Sequence, residues 1–169
     1  MENDEKRHSL KPVLMIGFIL GVTALYFLTT TLKEKEIDHT KAIKYSLVKE
    51  DFLAQVKQMN EDFKVREVDG VAVVHPKPGS NVYVPSGNYK WGSILELEKG
   101  KTYHFHVAST DKLMHSIWVD RMQISQKLRK GKVYILTVTP KEVGDFGIIC
   151  REFCGPQHYA MIGKIIVVD

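Results

Sequence analysis

Cys150-Arg151-Glu152-Phe153-Cys154-Gly155-Pro156-Gln157-His158-Tyr159-Ala160-Met161 places two thiols, an imidazole and a thioether within twelve residues. The stretch follows one strand-like run, Phe146–Cys150, and precedes another, Ile162–Val168. It therefore reads as a loop at the end of a β-sandwich, where a rigid scaffold can hold ligands in fixed geometry. Gly155 and Pro156 suit a sharp reversal inside it.

Outward from this loop, the chain after Val68 has a β texture. Val71–His75, Asn81–Val84, Ser93–Glu98, Thr102–Ala108 and Lys132–Thr139 join the two runs above as short β-type segments, separated by Pro76, Pro78-Gly79, Pro85-Ser86-Gly87, Gly100, Gly131, Pro140 and Gly144. Seven such strands indicate an antiparallel sandwich or barrel. Within Thr102–Val107, alternation puts Tyr103, Phe105 and Val107 on one face and Thr102, His104 and His106 on the other. The two histidines read as surface residues opposite a core stripe rather than as metal ligands.

Ligand chemistry narrows what the loop holds. Thiolate plus imidazole suits zinc or copper, whereas a thioether favours copper. Cys154, His158 and Met161 alone have the spacing of a blue-copper loop. The fourth ligand is then a histidine from an earlier strand, and His115 in Asp111-Lys112-Leu113-Met114-His115-Ser116 suits that role. Cys150 is left over for one copper, but two thiolates can bridge two coppers, each completed by one histidine and one weak ligand. A disulfide across four residues is the competing reading, and it would close little chain.

The pattern C-x-E-x-C-G-x-x-H-x-x-M, preceded by D-x-x-x-H-S, resembles the binuclear CuA domain of cytochrome c oxidase subunit II, over about Trp91 to Val168. The resemblance implies a cupredoxin-type Greek-key sandwich. It also implies Cys150 and Cys154 as bridging thiolates, His115 and His158 as terminal ligands, Met161 as a thioether ligand and the Glu152 carbonyl as the last. The function implied is outer-sphere electron transfer, with Ile148, Ile149, Phe153 and Ile162 expected to bury the site and tune its potential. Trp91 or Tyr89 is the expected aromatic through which electrons arrive. The Glu152 side chain is a candidate magnesium ligand at the boundary with catalytic subunit I.

At 169 residues, with a formal charge of +4, the chain has room for one compact domain plus an anchor. Its mixed charges exclude a nucleic-acid signature. Pro12–Leu32 is uncharged over 21 residues, enough at about 1.5 Å per residue to cross a bilayer's roughly 30 Å core. It reads as a retained transmembrane helix, not a cleaved signal peptide, because no small-residue cleavage site follows. Flanking lysines do not decide orientation; a short inner arm and a large outer domain match the metal reading.

The expected organisation is thus a cytoplasmic arm over 1–11, an anchor over 12–32, a linker and amphipathic helix over 33–67, and the copper domain over 68–169. Leu47, Phe52, Leu53, Val56, Met59 and Phe63 mark one helix from Lys49 to Phe63, whose apolar stripe packs on the domain or on a partner. The single anchor resembles the short form found in ba3-type oxidases.

A periplasmic or extracytoplasmic c-type cytochrome is the expected donor, and haem in subunit I the acceptor. A nitric oxide reductase-type complex could use the same relay. A copper delivery or sensing protein is the non-enzymatic alternative, and a structural zinc module another. From Lys33 onward, 21 Lys and Arg face 17 Asp and Glu, so electrostatics do not favour a strongly basic donor. Lys127, Arg129, Lys130 and Lys132 read as a solvated turn, or as a surface for an acidic cytochrome or lipid headgroups.

Overall fold

The computed structural model describes residues 20–24, which are helical, and 43–169. The expected arm, most of the anchor and most of the linker lie outside the described residues. Among those described, no helix is long and apolar enough to cross a membrane.

Among the described residues, twelve strands form two sheets. One is ordered β1 (Ile43–Ser46), β10 (Lys132–Val138), β7 (Tyr103–Ser109), β4 (Asn81–Gly87), β5 (Lys90–Trp91). The other is ordered β2 (Lys64–Val68), β3 (Val71–Val74), β6 (Ile94–Glu98), β12 (Ile162–Val168), β11 (Gly144–Ile149), β8 (His115–Val119), β9 (Ile124–Leu128). Most neighbours are antiparallel, but β4 runs parallel to β7, and β6 parallel to both β3 and β12. The purely antiparallel expectation is corrected accordingly. Period-two patterning shows which residues share a face, but not the direction of the neighbouring strand.

The core lies between the sheets. Leu95 and Leu97 of β6, Val82 and Val84 of β4, and Tyr103, Phe105 and Val107 of β7 are all buried in it, each set alternating along its strand. Burial of this kind contributes about 1.5–3 kcal/mol for each large apolar side chain.

Helix α1 spans Lys49–Phe63, with Glu50 and Asp51 in its first turn, where negative charge suits the helix dipole. Its apolar stripe packs on the domain itself. Phe52, Val56 and Met59 are buried, Phe52 meets the Tyr83 ring edge-on at 5.8 Å, and the Tyr83 N–H points to Met59 Sδ at 3.3 Å. The helix therefore covers a second face of the β4 sheet. A small second core forms there from Phe52, Val56, Ala108 and Val133.

This second layer corrects the reading of His106 as a surface residue. His106 is 8% exposed, its Nδ1 lies 3.0 Å from Tyr45 Oη, and the Tyr83 ring is 5.0 Å away. Alternation assigned it to the outer face, and the chain covers that face itself. His104, two residues earlier, stays half-buried.

Candidate metal centre

Strands β8 and β11 bring the expected donors together. They run antiparallel with Ile149 opposite Trp118, so the start of β8 lies against the segment that leaves β11. The Arg151 N–H continues this register by donating to Ser116 Oγ at 2.8 Å. His115 thereby arrives beside Cys150 from 35 residues away. The far side of the loop closes with a short 3-10 turn, His158–Ala160, directly before β12.

The donor atoms form one chain of close separations. Cys150 Sγ lies 3.9 Å from Cys154 Sγ, 3.8 Å from His115 Nδ1 and 3.3 Å from the Glu152 carbonyl oxygen, to which the thiol donates. Cys154 Sγ lies 3.5 Å from His158 Nδ1 and 3.9 Å from Met161 Sδ. Both cysteines are free. At 3.9 Å the sulfurs are far outside the roughly 2.05 Å of a disulfide. His115, Cys150, Cys154 and Met161 are 0–2% exposed, so water is largely excluded. Among the described residues, His115, Cys150 and Cys154 are the group of His, Cys, Asp and Glu side chains gathered closely enough to hold a metal ion.

Electrostatics match a site built for a cation. Burial, reinforced by the neighbouring Cys150 sulfur, pushes the Cys154 thiol up to about 11. Two buried thiolates without a metal would repel each other in low dielectric, so an ion supplying positive charge offsets that cost. Asp111 sits behind His115, with Oδ1 3.0 Å and Oδ2 3.2 Å from Nε2. Asp111 also accepts the N–H of Asn88 and of Leu113, each at 2.9 Å. Burial alone would raise its pKa, but these donors outweigh burial and hold the carboxyl below its usual range. By accepting the Nε2–H, Asp111 keeps the proton there and leaves the Nδ1 lone pair facing the sulfurs. Asp111 had a place in the sequence motif but no role; its spacing from His115 was the available signal.

The remaining expected residues divide. Trp91 is 7% exposed, and its Nε1–H donates to the Met161 carbonyl at 3.4 Å. Tyr89 is half-buried and abuts Gly155, where an added Cβ would run into the Tyr89 hydroxyl. The Glu152 carboxylate is ion-paired with Lys127 Nζ at 3.1 Å. Lys127 is thus not merely part of a solvated turn. One carboxylate already paired with a cation fits magnesium poorly, and magnesium remains an expectation from the resemblance alone.

The apolar jacket also needs correction. Ile148 is buried at 1% exposure, but Ile149, Ile162 and Phe153 are exposed at 38%, 66% and 82%. Alternation along β11 turns Ile148 inward and Ile149 outward. Phe153 and Tyr159, the latter 81% exposed, form an aromatic rim outside the buried sulfurs.

A two-sheet sandwich with two buried free thiols and a thioether on one end loop, and an imidazole beside each thiol, defines a cupredoxin-like fold carrying a cluster of soft metal donors. The comparisons with known proteins sharpen this. A Streptomyces coelicolor protein described as "Probable cytochrome c oxidase subunit 2" is 38% identical over 78 residues, 46% of this chain and 24% of that protein. The Thermus thermophilus "Cytochrome c oxidase subunit 2" is 32% identical over 75 residues, 44% of this chain and 55% of that protein.

The chain is therefore similar to cytochrome c oxidase subunit 2, and the match spans from about a quarter to about half of those relatives' length. No family model matches. Among solved structures, a chain of a heme-copper terminal oxidase dimer aligns over 95% of this chain and 99% of its own, at TM-score 0.52 and 18% identity. Rusticyanin from Thiobacillus ferrooxidans aligns over 76% of this chain and 99% of its own, at TM-score 0.50 and 18% identity. Both likenesses concern the fold.

Proposed function

We propose that this chain is the electron-accepting subunit II of a haem–copper terminal oxidase, holding a two-copper centre that relays single electrons from a c-type cytochrome to haem in the catalytic subunit. The observation that carries this reading is the pair of facing free thiols, 3.9 Å apart, flanked by His115 Nδ1, His158 Nδ1, Met161 Sδ and the Glu152 carbonyl. One copper has no use for two thiolates in this arrangement, whereas two coppers use all six donors.

Two bound coppers sharing one delocalised electron would supply one-electron transfer with little change in geometry. The protein's part is to hold and shield. His115 and Cys150 stand at strand ends fixed by pairing, the loop carries Cys154, Asp111 holds the imidazole proton on Nε2, and burial keeps water from the sulfurs. Trp91, in contact with the Met161 carbonyl, is better supported than Tyr89 as the aromatic through which electrons arrive. The exposed Phe153–Tyr159 rim favours apolar docking of the donor over charge steering, since the domain carries no acidic excess. The chain itself breaks no bond. In this reading Pro12–Leu32 anchors it in the membrane, with the copper domain on the periplasmic side.

The test is copper stoichiometry and optical spectrum of the full chain purified with its partners, together with the gas it consumes. Two coppers per chain, a purple colour with near-infrared absorption, and oxygen uptake are expected. One copper, or zinc alone, overturns the two-copper reading. Nitric oxide consumption without oxygen uptake would assign the relay to a different reductase.

A further inference from the structure

The β4–β5 turn makes an arrangement that the relay reading does not require. Asn88 and Tyr89, its two central residues, both have left-handed backbones, with φ of +50° and +58°. Two positive φ values match the twist of a tight hairpin, where asparagine and glycine are the usual occupants. Asn88 conforms. A bulky aromatic at Tyr89 is a departure that costs backbone energy, and glycine would relieve it.

The turn touches the Cys150–Met161 loop and its histidine partner at three separated points. The Asn88 N–H donates to Asp111, whose carboxylate holds His115. Tyr89 lies against Gly155, which itself has φ of +119° and has no room for a Cβ beside the Tyr89 hydroxyl. Trp91 holds the Met161 carbonyl and presses on Gly163, where a Cβ would fall 2.8 Å from the Trp91 Cβ. Gly155 in the loop and Gly163 just beyond it in β12 thus make space for two aromatics of one short hairpin.

We infer that the β4–β5 turn is a brace that keeps the cysteine loop closed, and that Tyr89, despite its strained backbone, is a positioning residue whose phenol pins Gly155. This concerns the loop that carries the proposed copper site, but it does not depend on any metal. A loop bearing two buried thiols opens by local fluctuation unless something outside it bears on it. Tyr89 supplies that contact midway between Cys154 and His158.

The test uses the full metal-free chain and measures how fast Cys150 and Cys154 react with a chromogenic disulfide reagent, beside thermal unfolding of the same samples. Tyr89→Gly relieves backbone strain while losing the packing of a half-buried ring, so the unfolding midpoint is expected to change little, yet thiol reaction should speed about tenfold or more through local opening. Tyr89→Phe retains the ring and should react within about twofold of the parent rate. Unchanged thiol reactivity in Tyr89→Gly overturns the inference. So does a faster reaction matched by an equivalent fall in the unfolding midpoint, which would make Tyr89 an ordinary packing residue. Failure of the chain to bind two coppers would overturn the relay reading and leave this result standing.

Discussion

Asp111 Oδ1 lies 3.0 Å from His115 Nε2, and the opposite ring nitrogen of His115 faces Cys150 Sγ at 3.8 Å. The carboxylate therefore sets which nitrogen of a fully buried imidazole is free to bind a metal. Asp111→Ala should weaken copper binding by about 10–100-fold, the usual range for losing a carboxylate behind a ligating histidine. Asp111→Asn, which keeps one acceptor oxygen, should lose less. Competition against a chelator of known copper affinity measures both, and equal affinities for all three proteins would remove Asp111 from the site's design.

Removing one thiol should change the count of metal ions. Cys150→Ser leaves Cys154, His158 and Met161 on the loop, a set suited to a single copper with one thiolate and one imidazole from this segment. The expected product binds one copper per chain and turns from purple to blue or green. Elemental analysis with the visible spectrum decides, and two coppers retained in Cys150→Ser would exclude bridging by that sulfur.

Acid should weaken the β2–β3 hairpin's attachment to β6. The Glu96 carboxylate hydrogen-bonds to Arg66 and approaches His75 Nδ1 at 3.3 Å. Its pKa falls below the ordinary 4.5, chiefly through the Arg66 hydrogen bond and against the effect of burial. Because the folded value lies below the unfolded one, the unfolded chain takes up the proton first. The contribution is fully present above about pH 4.5 and is lost as pH falls through the folded value. Arg66 is 44% exposed, so solvent screening keeps the loss in Arg66→Ala small at neutral pH. Urea unfolding at low and high salt should show this loss shrinking as salt rises.

A second pH effect belongs to His106. Burial, with a smaller contribution from the nearby His104, lowers its pKa from 6.5. The unfolded state again protonates first, so stability is complete above about pH 6.5 and declines as pH falls towards the folded value. His106→Gln should flatten this limb of the stability profile, which lies at higher pH than the Glu96 limb. An unaltered slope between neutral pH and pH 5 would mean that His106 is not buried in the folded chain in solution.

Helix α1 should contribute to the domain's own stability. Phe52 and Met59 are each 4% exposed against the β4 sheet. Phe52→Ala should cost about 3–5 kcal/mol and Met59→Ala about 2–5 kcal/mol, as cavities in a packed interior do. Leu53→Ala, at a position 39% exposed on the same helix, is the control and should cost clearly less. Comparable losses at all three positions would mean that the helix rests on something other than this face.

Particular segments mark how far the sequence could be read. All seven expected strands appear, as β3, β4, β6, β7, β10, β11 and β12, and helix α1 has the expected bounds. The five strands missed are informative, and β1 (Ile43–Ser46) corrects part of the expected linker, where a polar stretch pairs at the sheet edge with β10. β2 (Lys64–Val68) is exposed along its whole length, so it carries no alternation to detect. β5 is two residues long. β8 and β9 lie either side of a 3-10 turn, Asp120–Met122, without glycine or proline to punctuate them.

What the sequence determined by itself was chemistry and periodicity: which donor atoms occupy the loop, how closely they are spaced, and which residues along each strand share a face. Those are local properties, set by side-chain identity and by the two-residue repeat of extended chain. Tertiary structure decided everything that depends on what arrives from elsewhere. It brought His115 beside Cys150 across 35 residues, set Asp111 behind it, covered His106 with Tyr45 and Tyr83, left Phe153 and Ile162 outside the jacket expected for them, and bent a strained Tyr89 against Gly155. Such contacts follow from strand order and from the layer that closes each face, and neither is encoded within the few residues that make the contact.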